Sequence, residues 1–169
     1  MKCMFLILLS VMSGCQTIST LPGGAASDLP KDLPAQAEIH YNSQGGMVPT
    51  SYRIDIVGAK MTVTSRQPTP GENQSVEEST ITEAERQELY RSFVENHFES
   101  LKPNENLMVA DGRSRSIELK FGDKRFFVIN GDGYSPPDGH LARFLNIEAA
   151  FKKLTAAHPS AKTPGGTNK

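Results

Sequence analysis

The sequence predicts a two-layer α+β domain: an antiparallel sheet of about five strands in the order strand-strand-strand-helix-strand-strand-helix (βββαββα), with two helices on one face. Three observations lead there. Apolar residues alternate with polar ones in short runs separated by glycine turns, which is the period of half-buried strands. Two longer stretches carry apolar residues at steps of three and four, which is the period of amphipathic helices. Residues 37–158 are long enough for a single domain with a real core.

The elements follow in order. Ile39 and Tyr41 alternate with polar neighbours in a first strand, and Gly45 and Gly46 offer a turn. Tyr52, Ile54 and Ile56 share one face of a second strand, with Arg53 and Asp55 on the other. Gly58, Ala59 and Lys60 turn the chain into a third strand carrying Met61 and Val63, so the three predict an antiparallel meander. From Gln67 to Ser79 the residues are polar, with two prolines and a glycine, and predict a loop. Thr82 and Glu85 match a capping box. Behind it Leu89, Tyr90, Phe93, Val94, His97, Phe98 and Leu101 draw one stripe down a helix that Pro103 ends, with His97 read as a packed core histidine.

Ile117, Leu119 and Phe121 alternate in the next strand, residues 122–125 turn, and Phe126 to Ile129 return. The returning strand is apolar on both faces, which predicts a central position in the sheet. Leu141, Phe144, Leu145, Ile147, Phe151 and Leu154 form the last helix, with Lys152 and Lys153 complementing its dipole and Pro159 closing it.

Outside the domain, residues 1–14 have the layout of a secretory signal: Lys2, an apolar run from Met4 to Met12, then Ser13 and Gly14. The run is shorter than the roughly 20 apolar residues that a membrane-spanning helix needs. The string MSGC that ends it resembles the lipobox of bacterial lipoproteins, with Met12 in place of the usual leucine. That resemblance implies cleavage before Cys15, lipid on its thiol and amino terminus, and a stable membrane anchor. Gln16, where aspartate is absent, implies the outer membrane facing the periplasm in an enteric-type envelope. Residues 15–36 predict the lipidated cysteine and a flexible tether, and residues 159–169 a disordered tail.

Composition narrows the function. Cys3 leaves with the signal and Cys15 would be lipidated, so the mature domain holds no disulfide or cysteine metal site. The 18 basic and 19 acidic side chains give no basic excess for nucleic acid. Four scattered histidines and no nucleophile elbow, zinc-binding helix or phosphate-loop string leave the chain without a metal or cofactor expectation. Two segments stand out as candidates for binding a partner. One is the run Asn130 to His140, NGDGYSPPDGH, with Asp132, Tyr134, Asp138 and His140 on a stiff loop; it lacks the glutamate of a calcium loop, and a structural crossover is the plainer reading. The other is DGRSR, where Arg113 and Arg115 could grip a carboxylate, although a solvated turn is the more ordinary use of two such charges.

The strand and turn IHYNSQGG, the helix ITEAERQELYRSFVENHFESL, the hairpin SIELKFGDKRFFVINGD and the helix HLARFLNIEAAFKKL together resemble the small emfourin proteins that inhibit thermolysin-like metalloproteases. The likeness covers roughly 120 residues, rests on element order, the glycine pair and alternation, and assigns no inhibitory residue; those inhibitors are typically made without a lipobox. The sequence thus predicts a membrane-anchored envelope lipoprotein with a non-catalytic binding domain, inhibitor-like or an assembly partner. Its alternatives are an enzyme using Asp132, Asp138 and His140 as acid-base groups, and a pilotin-like structural lipoprotein with an uncovered apolar face near Phe126 and Val128.

Overall fold

A computed structural model describes residues 27–45, 50–66, 74–102, 112–131 and 139–159. They form the antiparallel α+β architecture the alternation predicts, with β1 (Glu38–Gly45), β2 (Thr50–Val57), β3 (Lys60–Arg66), β4 (Gln74–Thr80), α1 (Glu83–Glu95), β5 (Ser114–Phe121), β6 (Lys124–Gly131) and α2 (His140–Ala157). The strands pair in the order β4-β3-β2-β1-β5-β6. Ile39 lies between Ile56 and Leu119, and Tyr41 between Ile54 and Ile117, so one row of side chains crosses the middle of the sheet. Both helices press on that row. Leu89, Tyr90 and Phe93 from α1 and Phe144, Ile147, Phe151 and Leu154 from α2 are buried against it, with the Phe93 and Phe151 rings 6.1 Å apart.

Several expectations need correction. The segment read as a polar loop contains the sixth strand, β4. Its side chains are almost all exposed, so no apolar period reveals it; its order comes from the backbone ladder to β3 and from the Lys60–Glu78 ion pair at 2.7 Å. Strand β6 pairs only with β5 among the described residues and lies at the sheet edge, not its centre. Val128 and Phe126 turn to the core, whereas Phe127 is 40% exposed on the opposite face, where the Arg125 guanidinium sits 5.5 Å over its ring. Phe126 and Val128 therefore leave no uncovered apolar face.

Helix α1 stops six residues earlier than its stripe. The Thr82–Glu85 capping box forms at its start, but Asn96 caps its end, His97 takes the left-handed conformation at φ 46°, and Phe98–Ser100 make a short 3-10 turn that returns Phe98 and Leu101 to the core. His97 is half-buried beside Glu99, not packed in the core. In α2, Leu141 and Leu145 fall at the exposed rim, and the inward row carries Glu148 instead.

Residues 27–36, expected within the tether, lie on α1. Leu29 and Leu33 are buried, Tyr90 Oη donates to the Pro30 carbonyl at 2.8 Å, and the Leu33 amide donates to Gln87 at 2.9 Å. Two leucines among prolines and aspartates show no period, yet each fills the flank of a helix whose own stripe exposes Tyr90 to them.

Candidate binding cleft

The sheet alternation that buries Ile39 and Tyr41 continues to Ser43, Tyr52 and Arg115, which stand in register on the helix face, beyond the end of the core. Helix α2 crosses above them and presents Glu148, Phe151, Lys152 and Thr155. Together with Ile54 and Arg113 these residues line an open cleft of about 440 Å³.

Glu148 is its organising group. It is 4% exposed on an otherwise apolar helix face, and such a charge persists only where partners compensate for lost water. Three do so: Arg115 Nη1 donates to Oε2 at 2.8 Å, Lys152 Nζ meets Oε1 at 2.8 Å, and Tyr41 Oη donates to Oε1 at 3.2 Å. Burial pushes the Glu148 carboxyl up, but the Lys152 hydrogen bond and the charges of Arg115 and Lys152 outweigh it and hold the group below the usual carboxylate range. Burial and the neighbouring Glu148 charge push the Tyr41 phenol up to about 12, so it stays a donor. Aromatic contacts fix the frame: Tyr41 lies 5.3 Å from Phe151 and 6.3 Å edge-on from Tyr52, and the Arg115 guanidinium sits 5.9 Å over Phe144.

Gly45 completes the rim. Its φ is 109°, and a Cβ there would lie 2.4 Å from the Gly112 carbonyl oxygen, so only glycine lets the backbone leading to Arg113 close on the end of β1.

Past Tyr52, Lys152 and Thr155 the cleft opens into a second hollow of about 710 Å³ beneath the end of α2, with Met61 and Val63 as its apolar floor and Val76 and Glu77 on its outer wall. No family model and no curated protein matches the chain.

The opposite sheet face is charged but internally balanced. Arg53 Nε donates to Asp55 at 2.7 and 2.9 Å, His40 Nδ1 meets the same carboxylate at 2.6 Å, and Glu118 is paired with both Arg125 and Lys120. The cleft lining holds Arg113, Arg115, Lys152 and Glu148, and Glu148 is bonded to both Arg115 and Lys152.

Of the residues singled out in the sequence, Arg113 and Arg115 come together in this cleft. His140 does not: it opens α2 above Leu101, Lys102 and Phe144, with Nδ1 lacking a hydrogen-bond partner among the described residues. Burial, with Arg143 and Lys102, holds its pKa down. Asp132, Tyr134 and Asp138, like Cys15, lie outside the described residues. Sequence reasoning missed Tyr41 and Tyr52, read only as core, and Glu148 and Lys152. The available signal was an acid four residues after Phe144 and three before Phe151, on the buried stripe, with a lysine one turn further on.

Proposed function

We propose that this protein is a lipid-anchored lipoprotein of the bacterial envelope whose α+β domain binds another protein without catalysing a reaction. The observation that carries the reading is the state of Glu148. It is the one carboxylate in the cleft lining among the described residues, and both its oxygens accept hydrogen bonds while its charge is held on. A general acid needs a proton to give, and Glu148, held ionised, has none. Its charge is spent on Arg115 and Lys152, which it fixes beside an open, aromatic-walled surface with the composition of a binding site. The string MSGC and the short apolar leader before it support lipid on Cys15, an anchor that would hold the domain at the membrane surface. Inhibition of a metalloprotease and service as an assembly partner are both forms of this binding.

The test is affinity capture of the tagged full-length protein from native membranes beside a Cys15→Ala variant, with mass spectrometry of bait and companions. The expected result is an N-terminal peptide that begins at Cys15 and carries acyl mass, with one envelope protein recovered in stoichiometric amount. An unmodified Cys15 contradicts the anchor, and an acylated bait without a companion contradicts the binding role.

A further inference from the structure

We propose that residues 27–36 act as a catch on the anchored domain: docked on α1 they hold it on a short tether beside the membrane, and released they nearly double the length of chain through which it reaches a partner. The inference rests on the lipid anchor proposed for Cys15 and adds a two-state device between the lipid and the domain.

Sequence and packing supply the catch. Asp28-Leu29-Pro30 and Asp32-Leu33-Pro34 are one tripeptide written twice with Lys31 between the copies, so two leucines recur four positions apart. Leu29 and Leu33 are both buried, while Asp28, Lys31 and Asp32 face water. The prolines fix φ and reduce the chain entropy lost on docking. Side chains of α1 and of the 3-10 turn behind it hold the backbone around the leucines. Tyr90 Oη donates to the Pro30 carbonyl at 2.8 Å, and the Leu33 amide donates to Gln87 Oε1 at 2.9 Å. Glu99 Oε1 accepts from Ser27 Oγ at 3.0 Å and from the Asp28 amide at 3.3 Å.

The same contacts make the catch separable from the rest of the fold. Residues 27–36 contain no strand or helix, so no backbone ladder ties them to the sheet, whereas β1 is paired along its length with β2 and β5. Two leucines and a few bonds to side chains give an opening equilibrium on the order of 1 in 100, reached without unfolding the sheet. Release matters because of where the segment sits. With it docked, the chain leaves the domain at Ser27 beside Glu99, and residues 16–26 alone separate the domain from Cys15. At about 3.4 Å per residue that stretch spans at most roughly 37 Å. With it released, residues 16–36 separate the two, span at most roughly 71 Å, and leave the domain at Ala37 in front of β1. A partner that engages the domain farther out than the short tether allows draws the catch open, and its apparent affinity falls by the opening factor.

The experiment uses the full-length lipoprotein in lipid nanodiscs, with the mass at Cys15 measured first. Amide hydrogen exchange reads the catch, and energy transfer from a dye on Val57→Cys, an exposed site at the end of β2, to acceptors in the lipid headgroups reads the reach. Leu29→Ser combined with Leu33→Ser releases the segment, and Tyr90→Phe removes its bond to Pro30 while keeping the ring. In the parent the Leu33 amide should exchange about a hundredfold more slowly than in a free peptide, yet far faster than the amides of β1. It should exchange about fivefold faster in Tyr90→Phe and lose its protection in the double variant, whose β1 amides stay protected and whose energy transfer falls. If the double variant loses β1 protection, Tyr90→Phe carries both readouts. A Leu33 amide as slow as those of β1 shows a segment that opens only with the whole domain, and one as fast as a free peptide shows a segment that never docks. Either result overturns the catch and leaves the anchor standing. Lost protection with unchanged energy transfer overturns its control of reach, and an unmodified Cys15 overturns the anchor and the reach together.

Discussion

Glu148 shows how a single residue couples stability to the site. Replacing it with Gln keeps the shape and the Tyr41 contact but strands Arg115, whose side chain is only 22% exposed, beside Phe144 without its counter-charge. We expect Glu148→Gln to lose about 2–3 kcal/mol in urea unfolding, because removing one partner of a buried pair leaves the other desolvated and unpaired. A double-mutant cycle with Arg115→Met should return most of that loss. Acid titration reads the same chemistry. Burial opposes ionisation of Glu148, Asp55 and Glu118, yet Lys152 and Arg115, Arg53 and His40, and Arg125 and Lys120 respectively hold all three below the ordinary carboxylate range. Each therefore gives stability that is fully present above the unfolded-state pKa and is lost as pH falls through the lower folded-state value. Glu85, held down to about 2 by the Thr82 amide and hydroxyl and by His158, extends that loss to the acid end. Unfolding free energy should begin to fall below about pH 6.5, where an unfolded His140 imidazole takes a proton that the folded one resists, and fall steadily below about pH 4.5, where an unfolded glutamate begins to bind protons. A gain in stability on acidification would contradict the ion-pair account.

Among the elements, the end of α1 is the one the sequence conceals. Asn96 and His97 occupy the positions where a glycine normally announces a helix end, and neither interrupts the apolar stripe, so the stripe reads on to Leu101. His97 holds a left-handed backbone that costs a side-chain-bearing residue about 1 kcal/mol. Accordingly His97→Gly should raise stability by about 0.5–1 kcal/mol in denaturant unfolding, and a loss would show that the Glu99 contact matters more than backbone strain. The contrast with the rest of the fold is physical. The start of α1 was legible because Thr82 and Glu85 cap it within one turn of chain. Strands β1, β2, β3 and β5 were legible because one side of each is buried, so Ile39, Ile54, Met61 and Leu119 carry the period. Strand β4 was not, because its energy lies in backbone bonds to β3 while Val76 and both its glutamates face water. The edge position of β6 was hidden because Phe127 reads as core but is covered by Arg125. Of the cleft, the two arginines could be picked out by charge alone, whereas Glu148 gains its meaning from Tyr41 and Arg115, which are 107 and 33 residues away in sequence.

The whole domain is larger than its alternating strands. Leu29, Leu33 and Pro30 brace α1 from outside the sheet, so a chain beginning at residue 37 should be less stable than one beginning at residue 27 by about 3 kcal/mol, the order expected for exposing two buried leucines and losing the Tyr90 bond. Equal melting of the two truncated chains would put those residues back in the tether. The C-terminal end of α2 stands over the second hollow beside β3 and β4, with Phe151 and Leu154 buried beneath the helix and His158 paired with Glu85 of α1 at 2.8 Å. The domain presents two faces of different character: an ion-paired sheet surface and the aromatic-walled cleft under α2. The measurement that separates them is quantitative capture from native membranes with three baits: the parent protein, Lys152→Glu on the cleft and Lys120→Glu on the opposite face. Binding through the cleft predicts that the companion protein is retained by the parent and by Lys120→Glu and is lost with Lys152→Glu. Retention by Lys152→Glu, or its loss with Lys120→Glu alone, would contradict it.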